Sequence, residues 1–233
     1  MATVIPPAGK RRLLSRLFDP AGLRASESEA GDRRVGPFRG QLLGAEGLAT
    51  HARAVARRQR LAPPDLPVTR RWMTKVGPGP LLGRLYDTER ILERTRDELT
   101  AAGDRGLDVS TAGDWLLDNF YIVQEQIREV RNSLPRGYYQ ELPKLADGPL
   151  AGYPRVYELA IELIAHTEGH LDLENIGLFV REFQGGAPLN MGELWAVSSM
   201  LRLGLVENIR RLALRIGQRL EERAVVQALV VDL

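Results

Sequence analysis

The chain has 233 residues, 44% apolar and 27% charged, enough for one sizeable core with or without an extended arm. It holds no cysteine, which excludes disulfides and thiolate metal centres and fits a reducing compartment. The net charge of +2 hides an asymmetry: residues 1–75 carry 15 Lys/Arg against 6 Asp/Glu, whereas residues 76–233 carry 17 against 24.

A basic arm therefore precedes an acidic body. Such an arm suits anionic lipid, nucleic acid or the acidic body itself, and Arg-rich composition also follows simply from a GC-rich genome. The opening MATVIPPAGKRR lacks the apolar stretch of a secretory signal. The strongest apolar run, Leu194–Leu201, is far shorter than the ~20 residues a membrane span needs. Taken alone, the sequence reads as a soluble chain.

Residues 1–40 mix Arg, Gly, Pro, Ser and Glu without periodicity, which predicts a largely disordered basic arm. A short helix is predicted over Leu42–Leu61, with Leu48, Ala52, Val55 and Ala56 on one face, ending at Pro63 and Pro64. Residues 62–80 read as a linker. From Leu81 to Ala102 the stripe Leu81, Leu85, Thr88, Leu92, Thr95, Leu99 follows 4-3-4 spacing, the period of one helix face. Leu116, Phe120, Val123, Ile127, Val130 and Leu134 repeat it, predicting a second helix packed antiparallel to the first across a turn at Gly103–Ser110. Burying each such side chain is worth about 1.5–3 kcal/mol before entropy is charged.

Pro135 closes that helix, and residues 135–154 are predicted to be irregular, rich in Pro, Gly and Tyr. Further helices are predicted over Arg155–His170 and Leu173–Gln184, the latter stopped by Gly185 and Gly186. Asn190 and Glu193 have capping-box spacing, so a last helix is predicted from there through Ile216, apolar on more than one side and hence the most central. Only the final VVQALVVDL has a strand-like character. The fold class predicted is all-α: a bundle of about five helices with one long loop, behind the basic arm. The expected boundaries are 1–40 for the arm, 41–80 for the short helix and linker, 81–216 for the bundle and 217–233 for the tail.

Most of the chemistry-bearing pairs have a plainer explanation. His166 and His170 are spaced i, i+4 near Glu162 and Glu168, but HTEGH is not HExxH and no third ligand falls at a matching position, so no metal set is assigned. Gly77, Gly79 and Gly83 lie around the start of a helix, yet prolines remove two backbone donors and no GK[ST] follows, so the stretch reads as a linker and not as a phosphate loop. Glu125 and Glu129 lie at helical spacing with Arg128 and Arg131, the pattern of a solvated, salt-bridged face. Ser198 and Ser199 have no histidine at a suggestive spacing, and no catalytic residue or cofactor is assigned. The loop is the one functional candidate: Arg136, Tyr138, Tyr139, Glu141, Lys144, Tyr153 and Arg155 combine flat amphipathic rings with charged donors, suited to a partner surface or a glucan. The competing reading packs the tyrosines onto the bundle and spends the charges on helix ends.

WLLDNFYIVQEQIREVRNSLPRGYYQELPKLADGPLAGYPRVYELAIELIAHTE, at residues 115–168, resembles the amino-terminal region of bacterial cyclic β-1,2-glucan synthases. APLNMGELWAVSSMLRLGLVENIRRLALRI at 187–216 is similar to its continuation, and EGLATHARAVARRQ at 46–59 is a weaker echo. The resemblance marks Trp115–Arg155, with Glu193 and Trp195, as the family-characteristic face. It implies membership of very large inner-membrane proteins that join a UDP-glucose-dependent glucosyltransferase to a phosphorylase-like domain and deliver cyclic glucan to the periplasm. None of the family's catalytic residues maps onto this part. His170 departs from the family pattern, and so does the tail GQRLEERAVVQALVVDL, which stops where a longer protein continues. The expectation is a non-catalytic helical domain or fragment on the cytoplasmic side of the inner membrane. Its expected partners are the synthase's catalytic domains, with β-1,2-glucan or an anionic membrane surface (through residues 1–75) as alternatives and nucleic acid disfavoured.

Overall fold

The computed structural model describes residues 40–63, 80–167 and 169–231. The predicted arm up to residue 39, most of the predicted linker, and Glu168 lie outside the described residues. Those described fall in one unit, Pro37–Leu233. Eight helices are present among them: α1 Ala45–Arg58, α2 Pro80–Asp104, α3 Ser110–Asp118, α4 Phe120–Ser133, α5 Arg136–Glu141, α6 Arg155–His166, α7 Leu173–Gln184 and α8 Met191–Val231. The only extended pairings among the described residues are two isolated bridges, Leu61 with Leu145 and Lys144 with Pro154. The fold class is all-α, as the sequence predicts.

Both apolar stripes are core along their whole length: Leu81, Leu85, Thr88, Leu92, Thr95 and Leu99 are buried on α2, and Leu116 through Leu134 on the next segment. The turn between them closes where Gly106 adopts φ +70°, a left-handed conformation that glycine tolerates, with the Leu107 amide donating to the Ala102 carbonyl. The second stripe is carried by two helices rather than one. The backbone leaves helical angles at Asn119 (φ −106°, ψ 10°), which separates α3 from α4; there the Trp115 carbonyl accepts both the Asn119 backbone N–H at 3.1 Å and its side-chain amide at 2.8 Å.

α1 is three residues shorter at each end than predicted. Gln59 turns extended and its side-chain amide donates to Glu158, while the backbone of Arg60 and Ala62 bonds to Ala146 and Lys144. The predicted irregular segment 135–154 contains a short helix, α5, and a pinned return: Gly152 N–H donates to Leu145 O, Leu145 N–H to Tyr153 O, and Arg155 N–H to Pro143 O. α7 has the predicted bounds, with the Asp172 carboxylate accepting from the Asn175 amide as N-cap. α6 ends at His166, four residues before the predicted end.

α8 is the largest departure. Helix continues without a break through Val231, so the strand-like reading of VVQALVVDL is corrected: an apolar run that short carries no period to separate strand from helix. α8 packs against α6, α2, α4 and α3, while α1 packs against α7 and α6. Nine of the twelve residues of α6 are buried, because it is covered by α8 on one side and α1 on the other. The α6–α8 contact is close: a Cβ on Gly204 would come within 2.5 Å of the Ile164 Cδ1 atom. No described helix is long and apolar enough to cross a membrane.

Candidate functional site

The loop residues singled out in the sequence are brought together along one edge of the bundle, where α5, the return and the start of α8 meet. Arg155, the first residue of α6, is buried with Glu193 of α8. Its Nε donates to one Glu193 oxygen at 2.5 Å, and a terminal nitrogen donates to the other at 2.7 Å and to the Pro188 carbonyl at 2.7 Å. Glu193 also closes the predicted capping box: Asn190 N–H donates to its carboxylate at 2.9 Å, and Glu193 N–H donates to the Asn190 side-chain oxygen at 2.8 Å. A two-point guanidinium–carboxylate pair inside a core fixes the direction in which two helices meet.

Tyr138 donates its hydroxyl to the Gly192 carbonyl at the head of α8, and burial raises its phenol above the ordinary value. Tyr139 is buried, and that burial pushes its phenol well up. Lys144 reaches back over the Tyr139 ring and donates to the carbonyls of Tyr139, Gln140 and Leu142, closing the C-terminus of α5; its burial lowers its pKa. Tyr153 stacks on the buried Tyr157 ring, with centroids 5.5 Å apart. Glu141 is exposed, and Arg136 contributes the first residue of α5. The tyrosine rings and the Arg155 and Lys144 charges are thus turned onto the bundle, while Gln140, Glu141 and Asp147–Pro149 form the exposed rim. Of the family-characteristic face, Trp195 is 72% and Trp115 47% exposed. Trp115 borders an apolar groove of about 150 Å³ between α3, α4 and α8, with Ile122, Val123, Leu205 and Val206.

The paired carboxylates are salt-bridged. Glu125 holds Arg128 at 3.1 Å and Glu129 faces Arg202 at 3.9 Å, but Arg131 crosses to Glu89 on α2 rather than serving its own helix. Ser199 donates to the Ser133 hydroxyl across the α8–α4 contact. Sequence reasoning missed a buried centre where Glu207 of α8 accepts from Arg84 at 2.9 Å and from Thr88 at 2.8 Å, with Tyr157 behind it. Thr88 carried the signal, being a polar residue on an otherwise apolar stripe.

A second polar cluster sits at the α1–α6 crossing. His166 is spatially paired with His51 of α1, their ring centroids 4.1 Å apart, rather than with His170. His51 Nε2 lies 2.8 Å from Glu162 Oε2, and His166 Nδ1 lies 2.8 Å from the Gln41 carbonyl. Arg58 binds both Glu162 and Glu158. Burial alone would raise the Glu162 carboxyl, but the His51 hydrogen bond and the charge and hydrogen bond of Arg58 outweigh it and hold the group below the usual range. The only hint of His51 in the sequence is its place three residues after Leu48 and four before Val55, on the buried face of α1.

No family model matches the chain. It is, however, 38% identical over 133 residues to the cyclic beta-(1,2)-glucan synthase NdvB of Rhizobium meliloti (strain 1021). The chain is related to the cyclic β-(1,2)-glucan synthases. The matched stretch covers 57% of this chain and 5% of NdvB, so this chain corresponds to a partial region of a much longer glucan synthase. In those terms the Arg155–Glu193 pair joins the two segments, 115–168 and 187–216, through which the sequence resembles the synthases.

Proposed function

We propose that this chain is a non-catalytic helical domain of a cyclic β-(1,2)-glucan synthase, and that the exposed rim of its loop docks against the catalytic body at the inner face of the bacterial inner membrane. The similarity to NdvB carries the reading. The geometry supports a docking role: Arg155, Lys144 and Tyr139 are committed to internal contacts that stiffen the loop, leaving Glu141 and Asp147 presented on a fixed rim. A preformed edge of this kind binds a partner with little ordering cost. The +9 excess over residues 1–75 (15 minus 6) supplies attraction to anionic lipid beside that body.

The test is complementation. A synthase lacking this region, supplied with the chain in trans, should regain UDP-glucose-dependent glucan formation. Glu141→Arg combined with Asp147→Arg should weaken that rescue without moving the chain's melting temperature. Glucosyl transfer by the chain alone would overturn the proposal. Saturable quenching of Trp115 and Trp195 by β-1,2-glucan, unaffected by the rim charges, would replace it with direct glucan binding.

A further inference from the structure

The geometry points to a divalent transition-metal site, of the kind that takes Zn²⁺, at the crossing of α1 and α6, with His51, Glu162 and His166 as its ligands. His166 turns its two ring nitrogens to different partners. Its Nδ1 lies 2.8 Å from the Gln41 carbonyl, which accepts and so places the N–H on that nitrogen, and the ring thereby aims Nε2 at the Glu162 carboxylate. Nε2 stands 3.8 Å from Glu162 Oε2, too long for a hydrogen bond and wide enough for an ion to bridge the two.

The third donor is in place. His51 Nε2 stands 2.8 Å from the same Glu162 oxygen, and the donor atoms of the three side chains all lie within 4.8 Å of one another. Ligands about 2.0–2.1 Å from a tetrahedral Zn²⁺ stand about 3.3 Å apart, a value the observed 2.8 and 3.8 Å bracket. Binding would replace the His51 Nε2 proton that now joins it to Glu162, with the proton released to solvent. Two imidazoles and one carboxylate form a donor set suited to Zn²⁺, with a further position open to water.

The surroundings orient these ligands as metal sites require. The Gln41 carbonyl fixes the His166 tautomer, and the chain beside it is pinned: Gly40 N–H donates to Ala165 O and Leu43 N–H to His166 O. Gly40 is needed for that approach, since a Cβ there would lie 2.3 Å from the His166 ring. Arg58 engages the second Glu162 oxygen, leaving Oε2 for the ion, and its charge is shared with Glu158. The formal charges of Arg58, Glu158 and Glu162 sum to −1, which favours a cation. The three side chains are 17–22% exposed, so an ion can enter without unfolding the corner.

Titrating the chelator-treated full chain with Zn²⁺ should show one saturable equivalent, and Co²⁺ should give the visible bands of a tetrahedral site. Since loss of a supporting hydrogen bond alone costs about 10–100-fold in affinity, His51→Ala and His166→Ala should each weaken binding at least about 10-fold. His170→Ala should leave it unchanged. Because the ion ties α1 to α6, Zn²⁺ should raise the melting temperature of the wild type but not of His51→Ala. His51→Gln, which keeps a hydrogen-bond donor to Glu162, serves as the second variant, and circular dichroism establishes that each variant is folded. Absence of a saturable equivalent in the wild type, or equal affinity in the folded His51 and His166 variants, overturns the site.

Discussion

At the scale of single residues, the decisive groups are polar ones taken out of water. Arg155 and Glu193 gain two short contacts but give up hydration, so the pair specifies how α6 meets α8 more than it adds net stability. Its removal is another matter: Arg155→Ala strands a buried carboxylate and is expected to cost about 3–5 kcal/mol in urea unfolding. Arg155→Met with Glu193→Gln should recover much of that loss, because glutamine still completes the capping box. Tyr157 poses the opposite problem. Its hydroxyl is buried without a hydrogen-bond partner among the described residues, and burial, reinforced by Glu207, raises its pKa far above 10.0. The folded chain therefore keeps a proton that the unfolded chain sheds. Stability on this account is intact below about pH 10 and falls as pH rises beyond it, with Tyr139 acting in the same sense. Tyr157→Phe should make the alkaline decline shallower and, at pH 7, leave stability equal or about 1 kcal/mol higher. Urea midpoints at pH 7 and pH 11 check both statements.

At the scale of elements, the stripes were legible because a 4-3-4 spacing has one physical solution when every member is apolar or small. Phe120 sits at 6% exposure beneath the Arg96 guanidinium, 4.7 Å from its ring centroid, and Phe120→Ala is expected to cost about 3–5 kcal/mol by thermal or urea unfolding. The break at Asn119 was not legible, since one residue leaving helical backbone angles leaves the apolar period untouched. Nor was the close α6–α8 crossing, which depends on what faces Gly204 rather than on Gly204 itself. Alanine is the better helix former by about 1 kcal/mol. Ile164, however, is fully buried and has nowhere to move, so overpacking of about 1–3 kcal/mol decides the sign. Gly204→Ala should lower the melting temperature, whereas a propensity argument alone would raise it.

At the scale of the whole molecule, α6 joins what would otherwise be two small clusters, α1 with α7 and α2–α4 with α8. Neither cluster can lose α6 without exposing its core. The described body should therefore unfold in one transition, with Trp115 and Trp195 fluorescence coinciding with the loss of far-UV circular dichroism. Loop residues Arg155 and Lys144 were legible as special, and the reading that spends the loop's charges on helix ends anticipated their inward turn; their partners, Glu193 and the α5 carbonyls, were not legible because tertiary packing sets them. The His51 corner was hidden for the same reason: it joins positions 111 residues apart, and no local period records that. The unbroken α8 has a mechanical meaning of its own. Forty-one residues at 1.5 Å each make a strut about 60 Å long. It is held along most of that length: by the Arg155–Glu193 joint at its head, by the buried Ile216 and Leu220 further on, and by Arg223, which donates to Asp108 ahead of α3. The helix is in that sense a spine, and the bundle cannot shift at one end without disturbing the contacts at the other.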